Sequence, residues 1–497
     1  MRYFDRREFL QQSAGLAGLI SSGFFLNESQ AGQQPAPANP SPRGANERLN
    51  VAVIGVRGRG RDHISGLAGK HNCRVTHLCD VDTAVTGGAV TQTQKAQGGA
   101  APTVVQDLRR LMDNKDIHAV SIATPNHWHS LAAIWAMQAG KHVYVEKPIS
   151  HNVWEGRRVV DASRHYNKIC QAGTQIRSQP GIREAIEYVK AGKLGKCTVA
   201  RGLCYKPRGS IGNVSGPQTP PATMDYNLWC GPASNAPPRR NNTAGRNPNG
   251  TVHYDWHWTW EYGNGDLGNQ GIHQMDVARW GLGKSGLSNG IISLGGRFGY
   301  VDNGETPNTQ MAVFDYGDCE LIFEVRGLRT EKYRNAGVGN VFHCEDGYVV
   351  FFDGYTTGAA FDNNNQVLRR FNGNGDHYGN FIRAVRSGRR EDQNGEVLEG
   401  HLSSALCHLA NISYRLGRAT PFDRRNGVLG ENRQANETLT RMVDHLRGNN
   451  VALDKAMLTV GARLTVDPQA ENFGANAEAN RMLTREYRKG FEVPARF

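Results

Sequence analysis

Residues 49–80 constrain this chain more than any other stretch. They open on a short β-branched run, Leu49-Asn50-Val51-Ala52-Val53-Ile54, followed at once by Gly55, Gly58 and Gly60. A brief apolar run stopped by glycines predicts a strand buried on both faces, as in a parallel sheet. Glycine serves two ends there. The chain must turn tightly from strand to helix, and its backbone must approach a pyrophosphate with no side chain between. The helix that follows would aim its free N–H groups at the phosphates. A second strand, Val75-Thr76-His77-Leu78-Cys79, ends at Asp80. A carboxylate at that place accepts hydrogen bonds from an adenosine ribose, and it favours NAD over NADP because it repels a 2′-phosphate. Gly55, Gly58, Arg59, Gly60 and Asp80 are therefore the first cofactor-contact candidates. The spacing is G-x-x-G-x-G rather than the commoner G-x-G-x-x-G, so the reading rests on strand, glycines, helix, strand and terminal acid together.

Strand and helix signals go on alternating to about residue 170. Ala119-Val120-Ser121-Ile122-Ala123 reads as a buried strand and runs into Thr124-Pro125-Asn126-His127-Trp128-His129. Leu131, Ile134 and Trp135 follow at helical spacing, and His142-Val143-Tyr144-Val145 is a further strand, ending in Glu146-Lys147-Pro148. Such alternation predicts a doubly wound parallel sheet, whose ligands sit beyond the carboxyl ends of the strands. Asp80, Thr124, Pro125, Asn126, His129, Glu146 and Lys147 all fall at such ends.

The formal net charge is +12, from 58 basic and 46 acidic residues, yet acids are interspersed throughout and no nucleic-acid motif is present. A basic surface without a nucleic-acid partner is the reading. The nine cysteines are odd in number and include no C-x-x-C, which argues against a disulfide framework and against a metal site. Near the N-terminus, Asp5-Arg6-Arg7-Glu8-Phe9-Leu10 precedes a mildly apolar run over 13–26. That pattern is similar to a twin-arginine export signal, and its apolar part is too short and glycine-rich for a membrane span. Residues 1–31 are thus expected to be a signal peptide for export of a folded protein to the periplasm, without membrane insertion after its removal. Residues 32–47, rich in Pro, Ala, Gln and Asn, are expected to be a linker.

Together these motifs resemble the Gfo/Idh/MocA oxidoreductases, relatives of glucose–fructose oxidoreductase and inositol dehydrogenase. The matching residues are Gly55, Gly58, Gly60, Asp80, the segment Thr124 to His129, and Glu146-Lys147-Pro148, the last being the most specific. The resemblance implies an N-terminal Rossmann domain over 48–170. It then implies an α+β domain with an open, mostly antiparallel sheet over 171–425, which in the family often forms a subunit contact. A homo-oligomer is expected on that ground alone. Residues 426–497 read as a helical tail.

Within the second part, Ile182, Ala185, Ile186 and Val189 mark one helix face. Strands are expected near 197–205, 291–300, 309–316, 319–326 and 347–353. The alternation in Cys319-Glu320-Leu321-Ile322-Phe323-Glu324-Val325 suggests a sheet with one wet face. Residues 206–265 read as an insertion with little periodicity. Trp256, Trp258 and Trp260 stand two apart, so they are either one face of a strand packed on the core or, with Trp258 foremost, an aromatic wall for sugar rings. By resemblance, Gln175 and Arg177 line the substrate site. So does the segment holding Asn269 and His273, where the family carries D-x-x-x-H. Here Asn replaces the Asp, and Asn cannot take a proton. Proton transfer then falls to His273, with Asp276 or Asp266 as candidate partners.

The implied activity is NAD-dependent oxidation of a hydroxyl on a sugar, glycoside or cyclitol. Lys147 would polarise the hydroxyl and His273 would act as general base. Two rivals remain open: an NAD-dependent glycoside hydrolase of the same superfamily, working by transient oxidation and elimination, and a non-catalytic sugar-binding protein.

Overall fold

The structure, a computed structural model, describes residues 47–239 and 252–497. The expected signal peptide and most of the expected linker lie outside the described residues. Among those described, the main β-structure falls in two sheets.

The first sheet has six strands: β1 (Leu49–Ile54), β2 (Cys73–Cys79), β3 (Thr103–Val105), β4 (Ala119–Ile122), β5 (His142–Val145) and β6 (Cys170–Ala172). Their order is β3-β2-β1-β4-β5-β6, and every pairing is parallel. Chain order reverses between β1 and β4, which opens a crevice above those two strand ends. β4 and β5 are buried along their whole length, as their continuous apolar runs predict. Helices Arg59–Leu67 and His377–Ser387 cover one face through Ile64, Leu67, Phe381 and Val385. Helices Asn126–Gln138 and Val153–His165 cover the other, with Phe491 and Val493 from the C-terminal end.

The second sheet has eleven strands. They are β7 (Cys197–Cys204), β8 (Gly290–Gly296), β9 (Thr309–Asp315), β10 (Glu320–Arg326), β11 (Asn340–Cys344), β12 (Gly347–Phe351), β13 (Thr357–Asp362), β14 (Val367–Asn372), β15 (Arg418–Pro421), β16 (Met457–Val460) and β17 (Leu464–Thr465). All pairings are antiparallel except β7 with β10. Helices Pro180–Lys190, Ile272–Gly281 and Val397–Arg415 pack on one face, and Ile182, Ala185, Ile186 and Val189 are buried there as their spacing requires.

Two expectations fail here. Residues 426–497 are not simply a helical tail. They contribute β16 and β17 to the sheet, and their helix Arg433–Gly448 lays Leu439, Met442, Val443 and Leu446 over Ile292, Leu294, Val313 and Ile322. Nor is the far face of β10 wet. That same helix covers it, and Glu324 and Arg326 are 0 % and 1 % exposed. The alternation reported two faces correctly, but polar residues on one of them marked a buried ion network. Glu324 receives Arg441 at 2.7 Å, Arg326 at 3.0 Å, Arg201 at 3.3 Å and the Tyr205 hydroxyl at 2.9 Å. Burial pushes the Glu324 carboxyl up, but Arg441, Arg326 and Arg201 together override it and hold it at about 2.

Removing Glu324 would leave three guanidiniums in the interior without their shared counter-charge. Glu324→Leu is expected to cost about 3–5 kcal/mol in denaturant unfolding. The stability contributed by the depressed carboxyl is complete above its ordinary value of 4.5 and is lost as pH falls from there toward about 2. Acid unfolding of the variant should lack that component.

Candidate active site

The crevice begins at the turn after β1. Gly55 has φ +81°, and its N–H donates to the Cys79 carbonyl at 2.8 Å. A Cβ there would lie 2.6 Å from the Ala123 carbonyl oxygen, so the neighbouring strand end excludes any side chain. A Cβ on Gly60 would lie 1.7 Å from the Gly55 carbonyl oxygen. Gly60 therefore lets helix Arg59–Leu67 sit directly on the turn. Gly58 differs, since nothing stands within 4 Å of where its Cβ would be. Its freedom keeps the backbone bare toward open space.

That space is a cavity of about 350 Å³. Gly55, Gly58, Arg59, Asp80, Thr124, Pro125, Asn126, His129, Glu146, Lys147 and Asn269 all line it. Gly60 does not, which agrees with its packing role. The Asp80 carboxylate accepts from the Val56 N–H at 2.8 Å and the Asp82 N–H at 3.1 Å, so it also pins the glycine turn. Burial raises its pKa to about 6, against those hydrogen bonds. His129 spans two strand-end loops, its ring nitrogens 2.5 Å from the Pro148 carbonyl and 2.8 Å from that of Thr124. Asn126 donates to Asn264 at 2.9 Å.

Glu146 holds the centre. Arg59 donates to it at 2.7 Å, His63 stands 3.1 Å away, and the Lys147 N–H donates at 3.2 Å. Burial raises the Glu146 carboxyl, but Arg59 first and His63 next outweigh it and keep it well below the usual range. Next to it, the Lys147 ammonium donates to the main-chain carbonyl of Asn269 at 2.5 Å. Burial lowers Lys147 to about 8, partly opposed by Glu146.

Asn269 belongs to a wide π-type turn, Leu267–Gly271, and His273 stands one helical turn on, at the start of helix Ile272–Gly281. His273 is buried, with Tyr355 5.5 Å away between ring centroids, and its Nδ1 has no partner. Burial first, then the field of Lys147, keep this imidazole well below its ordinary pKa and so neutral. It does not line the main cavity but borders the Lys147 end of it electrostatically.

Other sequence candidates lie elsewhere. Arg177 is a brace: it grips Asp276 at 2.8 Å and Glu399 at 2.9 Å, away from the cavity lining. Asp276 is committed to that ion pair and Asp266 to Arg208, so neither serves His273 as a proton partner. Gln175 begins a short 3₁₀ turn after β6, its Oε1 buried and unpartnered. Trp256, Trp258 and Trp260 are not the face of a strand, because residues Asp255–Trp258 form a 3₁₀ turn. Trp258 is buried beneath the Arg208 guanidinium, whereas Trp256 and His257, stacked 3.6 Å apart, face the cavity.

The 206–265 insertion supplies what the sequence reading missed. Its described parts return to the first sheet beside Asp80. Met224 bridges Asp82, the Asp225 N–H donates to the Val81 carbonyl, and His253 lies 2.7 Å from the Asp82 carboxylate. Leu228, Trp229 and Tyr254 then wall the cavity, and Lys206 reaches Gln270 at 2.9 Å. Periodicity carries no signal for such a loop.

The chain's residues fit a dinucleotide. The bare Gly58 backbone at a helix start suits a pyrophosphate, Asp80 suits a ribose, and Thr124, whose buried hydroxyl has no partner, lines the same cavity. Gly58→Ala meets no steric obstacle in the protein, so its thermal midpoint is expected to stay near that of the parent. Its NAD affinity, measured by calorimetric titration, should fall at least about tenfold, because the methyl group stands where backbone must approach phosphate.

Comparison with known proteins agrees with this geometry. Residues 49–174 match the model of the Gfo/Idh/MocA oxidoreductase family's NAD-binding Rossmann fold, and residues 196–449 match that of its C-terminal alpha/beta domain. A levoglucosan dehydrogenase of Pseudarthrobacter phenanthrenivorans is 26 % identical over 267 residues, covering 49 % of this chain and 58 % of that protein. An alpha-N-acetylgalactosaminidase of Shewanella oneidensis is 31 % identical over 182 residues, 34 % of this chain and 39 % of that protein. The matched part thus spans less than two thirds of either curated relative. Among solved structures, the WlbA dehydrogenase from Bordetella pertussis in complex with NADH and UDP-GlcNAcA shares the fold, with TM-score 0.52, 17 % identity, and coverage of 73 % of this chain and 97 % of that one. A levoglucosan dehydrogenase in complex with NADH does so with TM-score 0.53, 18 % identity, and coverage of 73 % and 97 %. With both of its sheets matched in chain order to the two domains of one family, this chain belongs to the Gfo/Idh/MocA oxidoreductases and carries their NAD-binding Rossmann domain.

Proposed function

We propose that the protein oxidises a hydroxyl of a sugar, glycoside or cyclitol with NAD as cofactor. One observation carries the reading: the Lys147 ammonium lines the dinucleotide cavity, fixed by the Asn269 carbonyl, and its charge acts on the neutral imidazole of His273. The sugar-acting relatives support the substrate class.

Gly55, Gly58, Arg59, Asp80 and Thr124 would hold NAD, which when bound accepts hydride from the carbinol carbon. The remaining work falls to the chain. Lys147, protonated below about 8, donates a hydrogen bond to the substrate oxygen and stabilises its developing negative charge. His273 takes the hydroxyl proton on a ring nitrogen, its imidazole being kept neutral by burial. Glu146 and Arg59 hold Lys147 in place and keep the local charge balanced. The residues Trp256 and His257 offer an aromatic wall on which the apolar face of a sugar ring can rest.

The similarity to an alpha-N-acetylgalactosaminidase favours a second reading, transient oxidation followed by elimination of an aglycone and return of the hydride. The twin arginines at residues 6–7 support export in the folded state, and a homo-oligomer remains part of this reading.

The test is a screen of sugars, cyclitols and aryl glycosides with the full-length protein and NAD, following nicotinamide absorbance and aglycone release together. Net NADH formation is expected. Aglycone release with no net NADH selects the glycosidase reading, and neither signal across the screen defeats both. Lys147→Met should bind NAD normally and lose at least about a hundredfold in kcat. The kcat/KM for oxidation should fall above about pH 8 as Lys147 loses its proton, and should show no acid limb near 6.5, because His273 stays neutral well below that value.

A further inference from the structure

Three cysteines meet at one end of the second sheet. In the strand order β7 stands between β11 and β10. Cys197 opens β7, Cys344 closes β11, and Cys319 directly precedes β10. The antiparallel register sets Cys344 opposite Cys197, after a bulge between His343 and Cys344 that moves the ladder by one residue. The two thiols act on each other's titration, lowering Cys344 and raising Cys197. Of the nine free cysteines, these two are half-buried and the other seven are buried.

We propose that Cys197 and Cys344 are a reversible redox pair that closes to a disulfide in the folded protein. Directly opposed antiparallel residues stand about 4.5–5.5 Å apart at Cα, inside the range of about 4.4–6.8 Å that a disulfide spans. The neighbouring Cys197 thiol holds the Cys344 thiol below its ordinary value, which makes Cys344 the attacking sulfur. With a small-molecule disulfide as oxidant, the Cys344 thiolate attacks one oxidant sulfur and expels the first thiolate. The Cys197 thiolate then attacks the mixed disulfide at the Cys344 sulfur and expels the second. One protein S–S bond replaces the oxidant's, two electrons pass to the oxidant, and the two protons end on its released thiols. The exposed turn residues Lys196 and Glu345, joined by backbone and side-chain hydrogen bonds, flank the half-buried pair.

The position gives the bond a purpose. In the sheet, β11 to β14 form a meander that joins the other strands only through β11 and β7. A link at that seam staples the meander to the rest of the sheet and leaves the NAD site untouched.

The full-length protein, fully reduced, is treated with oxidised glutathione, then denatured for thiol counting and mapped by mass spectrometry without reduction. Thiols are expected to fall from nine to seven, with one linked peptide pair holding Cys197 and Cys344 and no bound glutathione. The Cys344→Ser and Cys197→Ala variants, treated alike, should form no internal link. Nine intact thiols, a persistent glutathione adduct on either residue, or a link that uses Cys319 instead would overturn the assignment.

Discussion

The Glu146 carboxylate is the interaction on which the rest of the site depends. It is buried at the end of β5, yet it ties down residues from three places. Arg59 comes from the glycine turn, His63 from the helix behind it, and the adjacent Lys147 from its own strand end. His63 in turn lies 2.8 Å from Ser121 on β4. The glycine turn and Lys147 are thus registered to each other through one ionised group. An isolated carboxylate in that setting would be strongly disfavoured. A guanidinium and two further donors make it sustainable, and the protein retains a negative charge next to the Lys147 ammonium.

The same logic recurs at a distance from the chemistry. Glu324 collects three arginines beneath helix Arg433–Gly448, and Asp276 and Glu399 collect Arg177 and Arg279 between helices. Such clusters are weak sources of net stability, because desolvation offsets most of the attraction. They are strong on geometry, since any shift that separates the partners exposes the full desolvation cost. Arg177 shows how this misleads a reader of sequence: placed where relatives line a substrate site, it is spent instead on joining the 3₁₀ turn after β6 to helix Ile272–Gly281.

Much of the fold was legible in advance, for a local reason. β1, β4 and β5 are buried almost throughout, so their sequences are mostly apolar. The glycine turn is dictated by two close backbone approaches, each visible as a residue type. The helix face at Ile182, Ala185, Ile186 and Val189 has one period and one neighbour. Readings failed where a distant element decided the outcome. The far face of β10 became dry because a helix more than a hundred residues later lies on it. Trp256 and Trp258 fall in a 3₁₀ turn that closely follows His253, which is anchored on Asp82 outside their own stretch. Asp276 and Asp266 were taken by arginines that no spacing links to them.

By itself, then, the order of residues determined the parallel sheet, the dinucleotide turn, the acid beside the ribose position and the lysine at a strand end, because each follows from contacts among near neighbours in the chain. Only the tertiary structure decided which carbonyl holds the Lys147 ammonium, which aromatic rings wall the cavity, and which two of nine cysteines face each other. Those outcomes depend on partners brought in from far along the chain, and burial then sets their charge and hydrogen bonding, quantities that no residue carries alone.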